Sequence, residues 1–115
     1  MLGIAIPAYK VSRNIKDTIN SLLIDLKDIE FLAVIVEDGC PENSASYINS
    51  KDRRIHIIKS DFNFGVGHAT MKGFSYLMKF NCTSLLKLDA DGQHNSNHIP
   101  DIYALSEKLR TNKEF

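Results

Sequence analysis

Two aspartates, Asp89 and Asp91, flank a single alanine just past the apolar run Leu85 to Leu88. In an extended segment residues i and i+2 point to the same side with Cα atoms about 6.5–7 Å apart, so two such carboxylates can converge on one hard cation. Gln93 and His94 follow closely, which makes an open set of donors of the kind Mg²⁺ or Mn²⁺ takes together with phosphates and water. The competing reading is a solvated turn, because Asp91-Gly92 is a common turn dipeptide. A second acidic pair, Glu37-Asp38, ends the run Phe31 to Val36 just before Gly39. Ionised carboxylates only accept hydrogen bonds, and one at a strand end suits the hydroxyls of a ribose or the N–H edge of a base. A turn leading into a helix is the alternative there, and Asp38 is the better functional candidate of the pair.

Other polar features are weaker. Asn63-Phe64-Gly65-Val66-Gly67 opens a helix and invites a phosphate-binding reading, but it lacks the third glycine of a dinucleotide fingerprint and follows the third strand. It reads as a tight turn followed by close helix packing. His56, His68, His94 and His98 form no metal-ligand spacing, and Cys40 and Cys82 have no base nearby in sequence.

The elements that must position these residues alternate in type. Leu2 to Ala8 and Phe31 to Val36 are unbroken apolar runs, as expected of strands covered on both faces. Ile55 to Ile58, in a strand that ends at Asp61-Phe62-Asn63, and Leu85 to Leu88 are shorter strand candidates, each interrupted by one polar residue, His56 and Lys87. Ile15, Ile19, Leu22, Leu23 and Leu26 repeat at helical period after Ser12, a potential N-cap. A short helix is expected near Ser44 to Ser50. A long one is expected from Gly65 to Phe80, with Ala69, Gly73, Leu77 and Phe80 on one stripe and Met71, Phe74 and Met78 alongside. A last helix has Pro100 near its first turn and Ile99, Ile102, Leu105 and Leu109 on one face. This order predicts an α/β fold with a mostly parallel sheet of about four strands flanked by helices. Tyr9, Asp38, Asp61 and Asp89 then all fall past carboxyl ends of strands, the edge where open α/β sheets bind ligands.

Composition narrows the function classes. With 115 residues and a formal net charge of zero, the chain is one domain of ordinary size without the basic footprint that nucleic acid or an anionic membrane requires. No apolar run approaches the ~18–20 residues of a membrane span. Two widely spaced cysteines fit neither a disulfide scaffold nor a zinc site, so a cytoplasmic location is expected, extended to a peripheral membrane association for a full-length protein.

Four segments together resemble one family: Ile4-Ala5-Ile6-Pro7-Ala8-Tyr9; Val34-Ile35-Val36-Glu37-Asp38-Gly39-Cys40-Pro41; Asn63 to Ala69 with Gly73; and Lys87-Leu88-Asp89-Ala90-Asp91-Gly92-Gln93-His94. In this order and spacing they look like the amino-terminal, donor-binding half of a family 2 glycosyltransferase of the Rossmann-like GT-A fold, closest to the dolichyl-phosphate-mannose-synthase-like branch. The resemblance covers residues 1–115 as a single domain and implies that the acceptor half is absent. It implies that Pro7 and Tyr9 border a nucleobase and that Asp38 binds base or ribose. It further implies that Asp89, with Ala90, lies towards the nucleotide sugar, and that Asp91 and Gln93 hold Mg²⁺ or Mn²⁺. The implied donor is a UDP- or GDP-linked sugar and the acceptor a saccharide or lipid phosphate.

Some positions depart from the family pattern. Lys10 and Val11 replace the Asn and the polar residue usual after the Tyr, Thr70 stands where many relatives have Arg, and no residue matches the family's general base. The expectation is therefore a chain that binds donor without transferring sugar, with a homodimer as its expected association state. Two other readings compete. One is a non-enzymatic nucleotide-binding or interaction module derived from such an enzyme. The other is an Asp-x-Asp phosphatase with Asp89 as nucleophile, disfavoured because that motif follows the first strand in such enzymes and the fourth strand here.

Overall fold

A computed structural model describes residues 1–9, 14–39, 52–60, 65–90 and 96–111. Strand β1 (Leu2–Ala8) is followed by α1 (Ile15–Asp25), β2 (Phe31–Asp38), β3 (Ile55–Ser60), α2 (Val66–Leu77), β4 (Ser84–Lys87) and α3 (Ile99–Thr111). The four strands form one sheet in the order β3-β2-β1-β4, and every pairing is parallel. The expected α/β class and parallel sheet are what the fold contains. The expected helix near Ser44 to Ser50 and the Ser12 cap lie outside the described residues, and the residue capping α1 is Asn14, without a side-chain cap bond.

The alternation of strand side chains divides the core into two layers. Leu2, Ile4, Ile6 and Ala8 of β1, with Phe31, Ala33 and Ile35 of β2, pack against Ile15, Ile19, Leu22 and Leu26 on one face. Ala5 of β1 and Leu32, Val34 and Val36 of β2 pack against Ala69 and Leu77 of α2 on the other. Each fully buried Ile, Leu or Val contributes about 1.5–3 kcal/mol. That explains why β1 and β2 carry no polar alternation until Glu37.

Pro7 sits inside a central strand, where its missing donor would ordinarily break the ladder. Leu88 N donates to Ala5 O while Leu2 N donates to Glu30 O. Odd-numbered β1 residues therefore turn their backbone groups towards β4 and even-numbered ones towards β2. The register with β4 ends at Ala5 opposite Lys87, so the donor Pro7 lacks falls beyond that ladder. The sheet thus opens between β1 and β4 at its carboxyl edge.

The approach of α2 depends on Gly73. A Cβ there would lie 2.8 Å from Ala5 Cβ and 3.1 Å from Val36 Cγ2. A short 3₁₀ turn, Met78–Phe80, follows α2, and Asn81 at φ 62° reverses the chain. Asn tolerates that left-handed conformation better than most residues. Phe80 ends the expected stripe exposed, because the 3₁₀ turn changes its angular position; it meets the His56 ring edge-on instead, at 5.4 Å between centroids.

The third strand, expected to end at Asp61-Phe62-Asn63, runs to Ser60, where Lys59 and Ser60 pair with Glu37 and Asp38. One further expectation is corrected. Of the expected apolar face of α3, Ile99 alone is buried, while Ile102, Leu105 and Leu109 are exposed. The inward side of α3 is set by Ile99 and Tyr103 against the core and by Ser106 Oγ, 3.2 Å from Ser84 Oγ.

Substitution of two glycines tests the packing of α2. A Cβ at Gly67 would meet none of the described residues within 4 Å, so Gly67→Ala should be neutral to stabilising by up to about 1 kcal/mol through helix propensity. Gly73→Ala should instead destabilise by about 1–3 kcal/mol through overpacking, read as a lower urea midpoint at unchanged slope. A neutral Gly73→Ala would mean that α2 does not sit this close to the sheet.

Candidate functional site

The carboxyl ends of β1 and β2 lie side by side, with Ala8 opposite Glu37, and α2 begins beside them. Pro7, Ala8, Tyr9, Val36, Gly65, Val66 and Ala69 enclose a crevice of about 90 Å³ at this edge. Its walls are apolar because Val36 and Ala69 belong to the α2-side core and Pro7 offers no donor. Tyr9, 40% exposed, stands at its mouth. Gly65 precedes α2 at φ 98°, a conformation that side chains other than glycine's rarely adopt. The turn therefore brings the first residues of a twelve-residue helix directly to the crevice, along with N–H groups that have no partner within the helix. The reading of Gly65 as a turn residue holds, and the structure adds that Gly65 and Val66 wall the cavity.

Asp38 closes β2, in register with Ser60, two residues beyond the crevice residue Val36. On the other side of β1, Leu88 and Ala90 are buried while Lys87 and Asp89 are exposed. The extended alternation thus continues past β4 and keeps Asp89 on the open side. Lys87 Nζ lies 3.3 Å from Asp89 Oδ1, so one carboxylate oxygen is already charge-paired. Ala90 belongs to the α1-side core, which anchors the triplet. Pro7, Tyr9, Asp38 and Asp89 therefore share the carboxyl edge of one sheet; Asp91 and Gln93 lie outside the described residues. Among the described residues no group of three His, Cys, Asp or Glu side chains could hold a metal ion.

Sequence reasoning passed over Glu37 in favour of its neighbour. Glu37 is only 4% exposed, and its Oε2 is buried with no hydrogen-bond partner among the described residues. The ammonium of Lys59, its register partner on β3, stands 4.0 Å from that oxygen. A carboxylate held this way is costly unless a cation stays close, so Glu37 restrains Lys59 at the tip of β3. The signal was present in sequence as an acid continuing an otherwise apolar run. Its partner was not, because strand register decides it.

The family described as Glycosyl transferase family 2 matches residues 3–112. The chain is 25% identical over 140 residues to the UDP-N-acetylglucosamine--dolichyl-phosphate N-acetylglucosaminyltransferase of Methanococcus voltae, covering 100% of this chain and 55% of that protein. It is 25% identical over 109 residues to the undecaprenyl-phosphate mannosyltransferase of Micrococcus luteus, covering 92% of this chain and 43% of the relative. The undecaprenyl-phosphate 4-deoxy-4-formamido-L-arabinose transferase of Shewanella sediminis is 26% identical over 113 residues, with 93% and 33% covered. The chain thus spans about half the length, or less, of these relatives. No helix among the described residues is long and apolar enough to cross a membrane.

The Glu37–Lys59 pair makes a separable prediction. Lys59→Met strands a buried carboxylate and should destabilise the fold by about 1–2 kcal/mol, less than for a fully buried pair because Lys59 is 60% exposed. Glu37→Gln should cost less, and in the double variant the loss from Lys59→Met should shrink by about 1 kcal/mol. Chemical denaturation of the four proteins measures this coupling. Strict additivity would mean that the two side chains do not interact.

Proposed function

This chain belongs to glycosyl transferase family 2, and we propose that its carboxyl-edge crevice is the donor side of a glycosyl-transfer site, taking a nucleoside diphosphate sugar. The observation that carries this reading is the crevice itself. Its apolar walls, with Pro7 and Tyr9 at the rim, suit the faces of a planar base. Asp38, at the adjoining strand end, supplies an acceptor for base N–H or ribose hydroxyl groups. The start of α2 brings N–H groups not bonded within the helix, and the positive end of the helix dipole, to the same edge, where a diphosphate is favoured.

A divalent cation fits this edge through oxygen donors. Asp89 is exposed there, next to Ala90, and Asp91 and Gln93 complete the proposed set, Mg²⁺ or Mn²⁺ being the ions such a set prefers. Charge neutralisation of the departing nucleoside diphosphate is the chemistry such an ion supplies when bound. The residues of the chain do the rest: Pro7 and Tyr9 confine the base, Asp38 orients it, and Lys87 limits the charge of Asp89 before the ligand arrives. The relatives' names specify prenyl phosphates, so a lipid phosphate is the acceptor proposed for the complete enzyme. Donor binding is the share of the reaction assigned to these residues, and UDP is preferred over GDP because the Methanococcus relative's name specifies a UDP sugar.

Thermal denaturation with UDP or GDP and Mn²⁺ tests the reading. Ligand at a hundredfold excess over Kd stabilises by about 2.7 kcal/mol, which raises Tm by roughly ten degrees for a domain of this size. Asp91→Asn should keep the unliganded Tm and abolish the dependence of nucleotide binding on Mn²⁺ in titration calorimetry. Gln93→Ala should weaken metal binding less, a neutral amide being a poorer ligand for a hard cation. If neither nucleotide moves Tm with metal present, the donor-site assignment fails.

A further inference from the structure

Helix α2 and the turn that follows it carry apolar side chains that the sheet does not cover. Met71 is 63% exposed and Met78 69%. The two recur at i and i+7 along one line of the helix, on the side away from the buried Ala69, Gly73 and Leu77. Lys72 and Lys79 each follow one of them in sequence and form a second ridge about 100° further round. Neither lysine is ion-paired among the described residues. From Val66 to Phe80 there is no aspartate or glutamate. By contrast, α1 carries Asp17 and Asp25 with Lys16, and α3 carries Asp101 and Glu107 with Lys108 and Arg110. A formal charge of zero for the chain thus conceals one helix face that is purely cationic beside an apolar ridge.

We infer that the outward face of α2, Met71 and Met78 with Lys72 and Lys79, docks on the headgroup region of an anionic lipid bilayer. Charge complementarity selects this occupant, because unpaired ammonium groups without neighbouring carboxylates meet their counter-charge in lipid phosphates. An interfacial helix sinks its apolar side chains to the acyl boundary and keeps its basic ones among the headgroups. Lysine suits that arrangement, since its methylenes follow the apolar ridge while the ammonium reaches the phosphates. Methionine, unbranched and polarizable, adapts to a surface without fixed shape. With so few groups engaged, the attachment is weak and reversible. Val66, at the start of the same helix, walls the carboxyl-edge crevice. A bilayer lying along α2 therefore brings that edge to the height of the headgroups, where a lipid phosphate is presented.

A second copy of the chain fits less well. Packing α2 on α2 would set Lys72 and Lys79 against the same lysines with no carboxylate on either helix, and like charges brought together across an interface repel. The Ile102, Leu105 and Leu109 face of α3 is also exposed, but that helix interleaves acids with bases, which an anionic surface does not favour. The inference rests on α2 and its turn, and is independent of the donor-site proposal.

The test is sedimentation of the whole chain with vesicles, without nucleotide or metal. Vesicles of phosphatidylcholine and phosphatidylglycerol, roughly two to one, should carry the chain down, and pure phosphatidylcholine vesicles should not. The bound fraction should fall as salt is raised. Lys72→Gln with Lys79→Gln should lower the partition coefficient at least about tenfold, each lysine near such a surface being worth about fivefold. Lys79→Gln alone, at an exposed position, should lower it about fivefold and keeps the test decisive should the double variant lose stability. Met71→Ser with Met78→Ser should lower it about tenfold with circular dichroism and Tm unchanged, since both side chains are exposed. Ile24→Ser on α1 and Leu105→Ser on α3, both exposed, should bind as the unaltered chain does. Absence of binding, equal binding to the two kinds of vesicle, binding undiminished in the lysine or methionine variants, or binding lost in Leu105→Ser would overturn the inference. So would a homodimer in light scattering that Met71→Ser with Met78→Ser dissociates, since a second copy would then occupy this face.

Discussion

The backbone of β1 is hydrogen-bonded on both edges and covered on both faces, and the positions of the other elements derive from that constraint. Its neighbours β2 and β4 must run parallel to it, so three carboxyl ends arrive at one edge. Its side chains alternate between two cores, so α1 and α2 must lie on opposite faces. Nothing polar can be tolerated along its length until the strand runs out. Chemistry is therefore confined to residues beyond Ile6: Pro7 and Ala8 lie past the last pairing with β4, and Tyr9 is the first exposed side chain after the strand.

The same logic explains where charge is tolerated. Asp89 and Lys87 occupy the open side of a short edge strand, where an ion pair costs little. Glu37 occupies the covered side of a central strand, where a carboxylate is expensive, and it is the single polar side chain found buried among the described residues. Its cost is offset from β3, the one strand whose register brings a cation opposite it. An acid one residue from the proposed base-binding position is thus tied to the neighbouring strand tip. The geometry of the β2–β3 edge and that of the site are coupled through it.

How far the sequence foretold this depends on which interactions decide each feature. The strands β1 and β2 and the helix α1 were legible because burial on two faces, or on a strict helical stripe, leaves a pattern local to the segment. Gly73 was legible as a close-approach position because a small residue on an otherwise apolar stripe has one obvious use. The pairing of Lys59 and Ser60 with Glu37 and Asp38 was not, since strand register decides it. Phe80 was misplaced for a related reason: the tightening of the chain after Leu77 rotates it off the stripe that a continuous helix would have kept. Of the site, the carboxyl-edge location of Tyr9, Asp38 and Asp89 could be read from strand ends alone. The walls contributed by Val36, Val66 and Ala69 needed the packing of α2.

The last helix is the instructive discrepancy. Its apolar positions form a regular stripe, and periodicity alone assigns such a stripe to the core. Periodicity reports that a face is to be buried but does not say against what. In α1 the stripe and the inward face coincide, because the sheet offers a surface wide enough to cover Ile15, Ile19, Leu22 and Leu26. In α3 the inward face is instead Ile99, Tyr103 and Ser106, with a serine pair across to Ser84, and the stripe lies to one side of it, where Ile102 reaches Leu85 and Leu86 of β4. The pattern and the observed burial therefore disagree in α3 and agree in α1, whose stripe meets the sheet directly.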